Sequence, residues 1–322
     1  MSTPTFVGKL KSLMPVQMWQ ILRLAKYSLH FKGTESMATF ALRIKARGPA
    51  LTFQKKILRK MAFDRDSMQT FYADKVKVRE FVKERVGLKY LTASFGEFSC
   101  IEGLDRNSFP RNFVMKSNHG SGASVICWEG VSRGFVIPVK ESSRVWEVHL
   151  IHPDDLVWEK LVNLSNSWMK ANFYWEAGRF PEWAYKNIQR QILFEEVLTH
   201  NGKIPEDYKF FMVNGECLFI QVDVSRFIEH KRDLYSPSWD LLDAKFFYPA
   251  SGLRPERPIQ LTEMLSVAKS LAKNIDFVRV DLYITDKGIK FGELTNYPDG
   301  GLADIRPKKL SVELAKKWIQ NY

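Results

Sequence analysis

The residues best suited to chemistry fall in two places far apart in the chain. In "FVMKSNHGSGAS" an apolar run ends in Lys116 and passes at once into a stretch of small residues with one histidine, His119. In "FVRVDLYITDKGIKFGELT" strict alternation puts Val278, Val280, Leu282 and Ile284 on one strand face and Arg279, Asp281 and Tyr283 on the other. The returning strand places Glu293 and Thr295 on one face in the same way, so pairing would let Asp281 and Glu293 converge on one cation. A polyphosphate needs cations at its oxygens, backbone N–H groups that can come close, and carboxylates to hold Mg²⁺ between phosphates. Lys116, the glycines Gly120 and Gly122 with Ser121 and Ser124, and the Asp281–Glu293 pair supply one of each. The loop has neither the Walker spacing nor a GxGxxG fingerprint. Taken singly, each feature also fits a plainer role, such as a snorkelling strand-end lysine, a Gly/Ser turn, or a cross-strand salt bridge around Arg279.

The elements that would position these residues are legible. "DKVKVREFVKERVG" reads as a helix with Asp74 as N-cap, Val78, Phe81, Val82 and Val86 on one face, and a stop at Gly87. A strand at 113–116 and a returning strand "SVICWEG" flank the small-residue loop. The aromatic segment 158–185 is predicted helical, with Trp158, Trp168, Trp175 and Trp183 as packing anchors. "QILFEEVL" is a strand that runs into Glu195 and Glu196. "YKFFMVNGECLFIQV" is a hairpin turned by Asn214-Gly215, a helix follows at about 260–273, and the second hairpin turns at 285–288.

At 322 residues and 45% hydrophobic content, the chain can bury a sizeable core. No apolar stretch approaches the roughly 20 residues needed to span a bilayer, and no export signal is evident. Three widely spaced cysteines signal neither a disulfide framework nor a zinc site, which suits a reducing cytoplasm. The net charge of +12 is uneven, because residues 1–63 carry 12 Lys/Arg against the single acid Glu35. Within that arm "LKSLMPVQMWQILRLAKYSLHFK" reads as a basic amphipathic helix entered through Pro15, suited to an anionic surface or equally to packing with solvated lysines. The rest of the chain is nearly neutral and carries no zinc-finger, RNP or helix-turn-helix signature, so nucleic acid is not an expected partner.

The order of the pieces resembles the ATP-grasp enzymes, and "EWAYKNIQRQILFEEVL", "DYKFFMVNGE", "VRVDLY" and "FGELTNYPDGG" resemble their teichuronopeptide-biosynthesis, or TupA-like, branch over residues 63–322. The resemblance implies an α+β fold in which ATP lies between two lobes with antiparallel sheets. After the basic, helical extension read at 1–62 from its charge and pattern, it predicts the first part of the module at 63–110, a small lobe with lid loop and hinge at 111–198, and a large lobe with the metal site at 199–322. It implies that Lys75 and Lys116 contact ATP phosphates under a lid of Ser117, His119, Gly120, Ser121 and Gly122. Glu195, Glu196, Val197 and Leu198 would form the adenine hinge, with Asp207 at the ribose and Lys209 on the nucleotide side. Asp281 and Glu293 would ligate Mg²⁺, and Arg279 would face the transferring group. The usual third metal position, an Asn two residues after the Glu, is Thr295 here, with Asn296 next to it, which leaves one or two metal ions open.

The implied chemistry is carboxylate–amine ligation. A carboxylate takes the γ-phosphoryl group to give an acyl phosphate, and an amine displaces phosphate to leave an amide, with Arg279, Lys116 and His119 nearest the reacting groups. On the substrate side, "SRFIEHKRDLY" offers Arg226, His230, Lys231 and Arg232 to a carboxylate or acidic sugar, beside the Gly300-Gly301 loop. The TupA-like resemblance suggests an amino acid, or a polymer of one, joined to a uronic acid of a surface polysaccharide or its lipid-linked precursor, with the arm at the inner membrane surface. Small-peptide ligation, acceptor phosphorylation without amide formation, and a nonenzymatic nucleotide- or polysaccharide-binding module are the competing readings.

Overall fold

The computed structural model describes residues 37–134, 145–176, 180–224 and 230–322. The predicted arm helix around Pro15 and the candidate Arg226 lie outside the described residues. The chain order begins with helices α1 (Met37–Ala46), α2 (Phe53–Phe63), α3 (Met68–Ala73) and α4 (Val78–Val86). Strands β1 (Ser94–Phe98), β2 (Phe113–Ser117), β3 (Ser124–Cys127) and β4 (Val148–Ile151) follow, then α5 (Trp158–Lys170), α6 (Phe173–Glu176) and β5 (Ile192–Glu195). The remainder is β6 (Asp207–Val213), β7 (Glu216–Val224), β8 (Lys231–Tyr235), β9 (Lys245–Phe246), α7 (Leu261–Leu271), β10 (Phe277–Thr285), β11 (Gly288–Thr295), β12 (Ile305–Arg306) and α8 (Lys308–Lys316).

Two five-stranded sheets carry the architecture, one in the order β1-β5-β2-β3-β4 and one in the order β11-β10-β6-β7-β8. The first is antiparallel except where β3 runs parallel to β4, and the second is antiparallel throughout. Strand parity decides which side chains meet which layer. In β2, Phe113, Met115 and Ser117 turn into the first lobe beneath α5, where Phe113, Met115, Ile192, Phe194 and Trp168 are fully buried together. Val114 and Lys116 therefore face the other way, toward the second sheet.

The second sheet is covered on both faces. Val278, Val280, Leu282 and Ile284 of β10 pack with Phe210, Ile220 and Val222 under α7 and α4, the face that alternation predicts. The opposite face is split: Phe211, Phe219 and Phe277 meet Phe53 of α2 and Trp318 in rings 4.2–6.3 Å apart, whereas Lys209, Asp223, Arg279 and Asp281 form a polar floor. Both hairpins form as expected, with Asn214 and Gly215 at φ 50° and 81°, the left-handed pair that a two-residue turn requires.

Several expectations are corrected. The segment 158–185 is not one helix but α5, the one-turn α6 and a short 3₁₀ turn at Trp183–Tyr185. Asp74 caps a turn rather than α4 itself: its Oδ1 accepts from the backbone N–H of Val76 and Lys77, and α4 begins at Val78. The boundary at 62 cuts the last turn of α2, whose Phe53, Ile57, Leu58 and Met61 are at most 2% exposed in the core of the second lobe. Their spacing of four, one and three residues makes one helical stripe, and Thr52 caps the helix by accepting from Lys55 N–H at 3.3 Å. The boundary at 110 separates strands of one sheet, because β1 pairs with β5. No helix among the described residues is long and apolar enough to cross a membrane.

Candidate functional site

A cavity of about 330 Å³ lies between the two sheets. One end is apolar, lined by Val114, Ile126, Val148, Val197, Leu198 and Phe291, and the other is ringed by Lys75, Lys116, the 120–124 loop, Lys209, Asp223, Asp281 and Glu293. Both ends follow from parity: Val114 and Lys116 are two residues apart on β2, and Lys209, Asp223 and Asp281 occupy the matching face of β6, β7 and β10.

The loop at the polar end is held from behind. Asn118 donates through Nδ2 to Asp74 Oδ1 and Gln189 O, both at 2.9 Å, and its Oδ1 accepts from Gln191 N–H at 2.7 Å. Its carbonyl accepts from Lys75 N–H at 3.2 Å, so the helix start and the loop are tied together. Lys75 Nζ donates to Gly120 O, and burial lowers the Lys75 pKa, with Glu293 opposing that shift. Gly120 and Gly122 are required here: a Cβ at Gly120 would meet the Trp146 ring at 2.3 Å, and Gly122 combines φ +87° with the Trp146 carbonyl at 2.9 Å.

On the opposite wall Asp281 and Glu293 face each other directly across the β10–β11 ladder, with a bulge immediately beyond, at Gly292. Arg279 bridges them: Nε donates to Asp281 Oδ1 at 2.7 Å, and Nη2 donates to Asp281 Oδ2 at 2.6 Å and Glu293 Oε1 at 2.9 Å. Lys209 Nζ donates to Asp281 Oδ2 at 3.0 Å and lies 2.8 Å from Asp207 Oδ2. Burial pushes the Glu293 carboxyl up, but Lys75, Arg279 and Lys209 overcome it and hold the pKa down at about 2. Thr295 lies opposite Arg279, and its hydroxyl donates to Glu293 Oε1 at 2.9 Å, which orients that carboxylate.

The cavity thus gathers Lys75, Lys116, Gly120, Ser121, Gly122, Glu195, Glu196, Val197, Leu198, Asp207, Lys209, Asp281 and Glu293. Ser117 and His119 are corrections. Parity turns Ser117 into the lobe, and its Oγ lies 2.8 Å from His119 Nδ1. His119 is 2% exposed, with Nε2 3.0 Å from the Trp168 carbonyl, and burial lowers its pKa to about 4. It braces the loop from within rather than facing the cavity. Glu195 carries its charge to Lys116, with which it pairs, and to Arg79 Nη1 at 2.7 Å. Glu196 accepts from Ala93 N–H at 3.1 Å and pairs with Lys287. Gly301 is a packing position, where a Cβ would lie 2.9 Å from Leu58 Cδ2, whereas a Cβ at Gly300 would lie 3.5 Å from Glu182 Oε1.

Two residues in this network, Asp223 and Glu182, were not among the candidates the sequence offered. Asp223 is 3% exposed and accepts from Arg232 Nε at 2.7 Å and from Gln221 Nε2 at 3.0 Å, with His230 Nε2 3.1 Å away. Arg232 reaches Asp299 Oδ2 at 3.1 Å, so it acts as a strut between β7 and the Gly300 loop rather than as an open substrate cation. Lys231 pairs with Val224 at the sheet end. Glu182 has its carboxyl pushed up to about 8 by burial and by the charges of Glu293 and Asp299, against Arg279. The alternation around "IQVDV" could have flagged Asp223, whereas nothing local marks Glu182.

The TupA-like ATP-grasp family model matches residues 54–319. The chain belongs to the TupA-like ATP-grasp family. The family's ATP-grasp fold, α+β with the cavity between two sheets, is the one described above. A search of curated proteins found no match. Among solved structures, D-alanine–D-alanine ligase from Bacillus anthracis complexed with ATP is 14% identical over 78% of this chain and 66% of that one, with a TM-score of 0.43. The ATP-grasp ligase PsnB complexed with a minimal precursor is 12% identical over 71% of this chain and 54% of that one, with a TM-score of 0.39. The macrocyclase MdnC bound with precursor peptide MdnA, from Microcystis aeruginosa, is 10% identical over 92% and 67%, with a TM-score of 0.34. The chain spans about half to two thirds of the length of these structures.

Proposed function

We propose that the protein is an ATP-dependent carboxylate–amine ligase. The observation that carries the reading is the Asp281–Glu293 pair, bridged by Arg279 and set across one cavity from Lys116 and the glycine loop. Adenine would lie against Val114, Ile126, Val148, Val197 and Leu198, and the phosphates against Lys75, Lys116 and the backbone of 120–124. ATP would compete with Glu195 for Lys116, exchanging an internal ion pair for a phosphate contact.

Asp281 and Glu293 would hold Mg²⁺, with Thr295 supporting Glu293. Mg²⁺ commonly takes one or two carboxylates and completes its shell with nucleotide phosphates and water, which two acids on one wall would supply. The ion would neutralise charge on the phosphates.

A substrate carboxylate oxygen attacks the γ-phosphorus as the bond to ADP breaks, and Lys116 and the loop N–H groups stabilise the charge on the transferring group. An amine then attacks the acyl carbon, Arg279 stabilises the oxyanion, phosphate leaves and an amide remains. The TupA-like resemblance supports an amino acid, or a polymer of one, and a uronic acid of a surface polysaccharide as substrates, and the basic arm suits an anionic glycan or its lipid-linked precursor at the inner membrane surface. ADP release from Mg·ATP is the test, measured across a matrix of amino acids and uronic acids with mass spectrometry of the products. Release that needs both partners, yields a dehydrated adduct and is lost in Glu293→Gln is the expected result; release with one acceptor and a phosphorylated product would replace the ligase with a kinase.

A further inference from the structure

The outward face of α1 is unusual for a helix that packs on a core. Its inward stripe is ordinary: Thr39, Leu42 and Ala46 are 7%, 1% and 0% exposed. The opposite face of such a helix should be polar. Instead Phe40 and Ile44, one turn apart and therefore neighbours, are 50% and 52% exposed, and Leu51 in the link to α2 is 66% exposed. Lys45 and Arg47 are exposed within the same stretch.

Charge is as one-sided as the apolar pattern. Residues 37–63 contain seven Lys/Arg and no acid, and residues 1–36, which lead directly into α1, add five more against Glu35. Lys56 Nζ donates to the carbonyl of Trp318 and Lys55 Nζ to that of Lys45, whereas Lys60 is paired with the acids Asp64 and Asp276. A carbonyl satisfies the donor and leaves the positive potential in place.

We propose that the outward face of α1 is a docking surface for an anionic lipid bilayer. Exposed Phe and Ile enter the acyl boundary while flanking Lys and Arg meet acidic headgroups, a combination that a soluble polyanion would not use. α1 packs on α2, which touches Gly301 beside the catalytic wall, so docking would leave the substrate-side loop one helix away from the lipid. This inference stands apart from the ligase reading, since it needs no turnover.

The test is cosedimentation of the full chain with vesicles of phosphatidylcholine, alone or mixed with phosphatidylglycerol, with circular dichroism and the melting temperature as fold controls. The wild type should bind the mixed vesicles and release them in high salt. Phe40→Glu with Ile44→Glu should lower the partition about tenfold, and Arg47→Glu several-fold, at unchanged melting temperature. If the double variant fails to fold, the exposed Arg47→Glu variant decides. Three outcomes overturn the proposal: no binding by the wild type, equal binding by wild type and variants with loss only on removal of 1–36, or a change of oligomeric state in the variants without a change in partition. The second would mean that the arm alone holds the lipid, and the third that a second copy covers α1.

Discussion

At the scale of single residues, the site is a set of charges that satisfy one another before any ligand arrives. Arg279 spans Asp281 and Glu293, Lys209 reaches Asp207 and Asp281, and Lys116 pairs with Glu195. Removing one member leaves a buried partner uncompensated, so effects at this wall should be large. Glu293→Gln is expected to lower kcat on the order of 100-fold while ATP still binds, as steady-state kinetics beside a nucleotide-binding titration would show. His119 gives a different signature. Its folded pKa of about 4 lies below the ordinary histidine value of 6.5, so the unfolded chain takes up a proton first and stability falls as pH drops through the window from 6.5 to 4. Denaturant titration should record a loss of up to about 3 kcal/mol across that window, and His119→Gln should flatten it.

At the scale of elements, two devices set the loop. Asn118 satisfies partners on either side of it at once, and replacing it by Ala would strand the Gln191 N–H and remove one of the three donors to Asp74 Oδ1. Asn118→Ala should cost about 2 kcal/mol, read as a lower denaturant midpoint at unchanged slope. Gly122→Ala attacks the same loop through the backbone, since both its φ of +87° and the 2.9 Å approach to Trp146 O exclude a methyl group. The expected outcome is a roughly tenfold higher KM for ATP, with the fold retained. On the other wall the bulge after Asp281 leaves Glu293 opposite Asp281 and returns Leu282 and Phe291 to register, which pairs the carboxylates without breaking the hairpin.

At the scale of the molecule, α2 belongs to the second lobe. Phe53 stands on Phe211, Phe219, Phe277 and Trp318, the apolar half of the face whose polar half is the cavity floor, and Ile57, Leu58 and Met61 join the same core. Deleting residues 1–36 should leave the melting temperature within a few degrees of the full chain. Deleting 1–62 should abolish the cooperative transition, because losing four such residues at roughly 2–5 kcal/mol each is as large as the whole stability of a typical domain. A truncated protein that still melts cooperatively would show that the lobe closes without α2.

Local rules sufficed for much of this protein. Alternation placed Arg279 and Asp281 on one face, Asn214-Gly215 announced its hairpin, and the order of Lys75, Lys116, the acidic hinge and "FGELT" carried the family and its ATP-grasp fold. These features depend on neighbours within a few residues, or on motifs whose order survives in the linear chain. Tertiary structure decided the rest. Whether His119 faced ligand or core depended on the carbonyl of Trp168, 49 residues away, and whether Glu195 met adenine or Lys116 depended on the pairing of β2 with β5. Glu182 entered the charge network, and α2 the core, only because distant segments pack there. Contacts of this kind are set by which surfaces exclude water together, and no spacing along the chain encodes them.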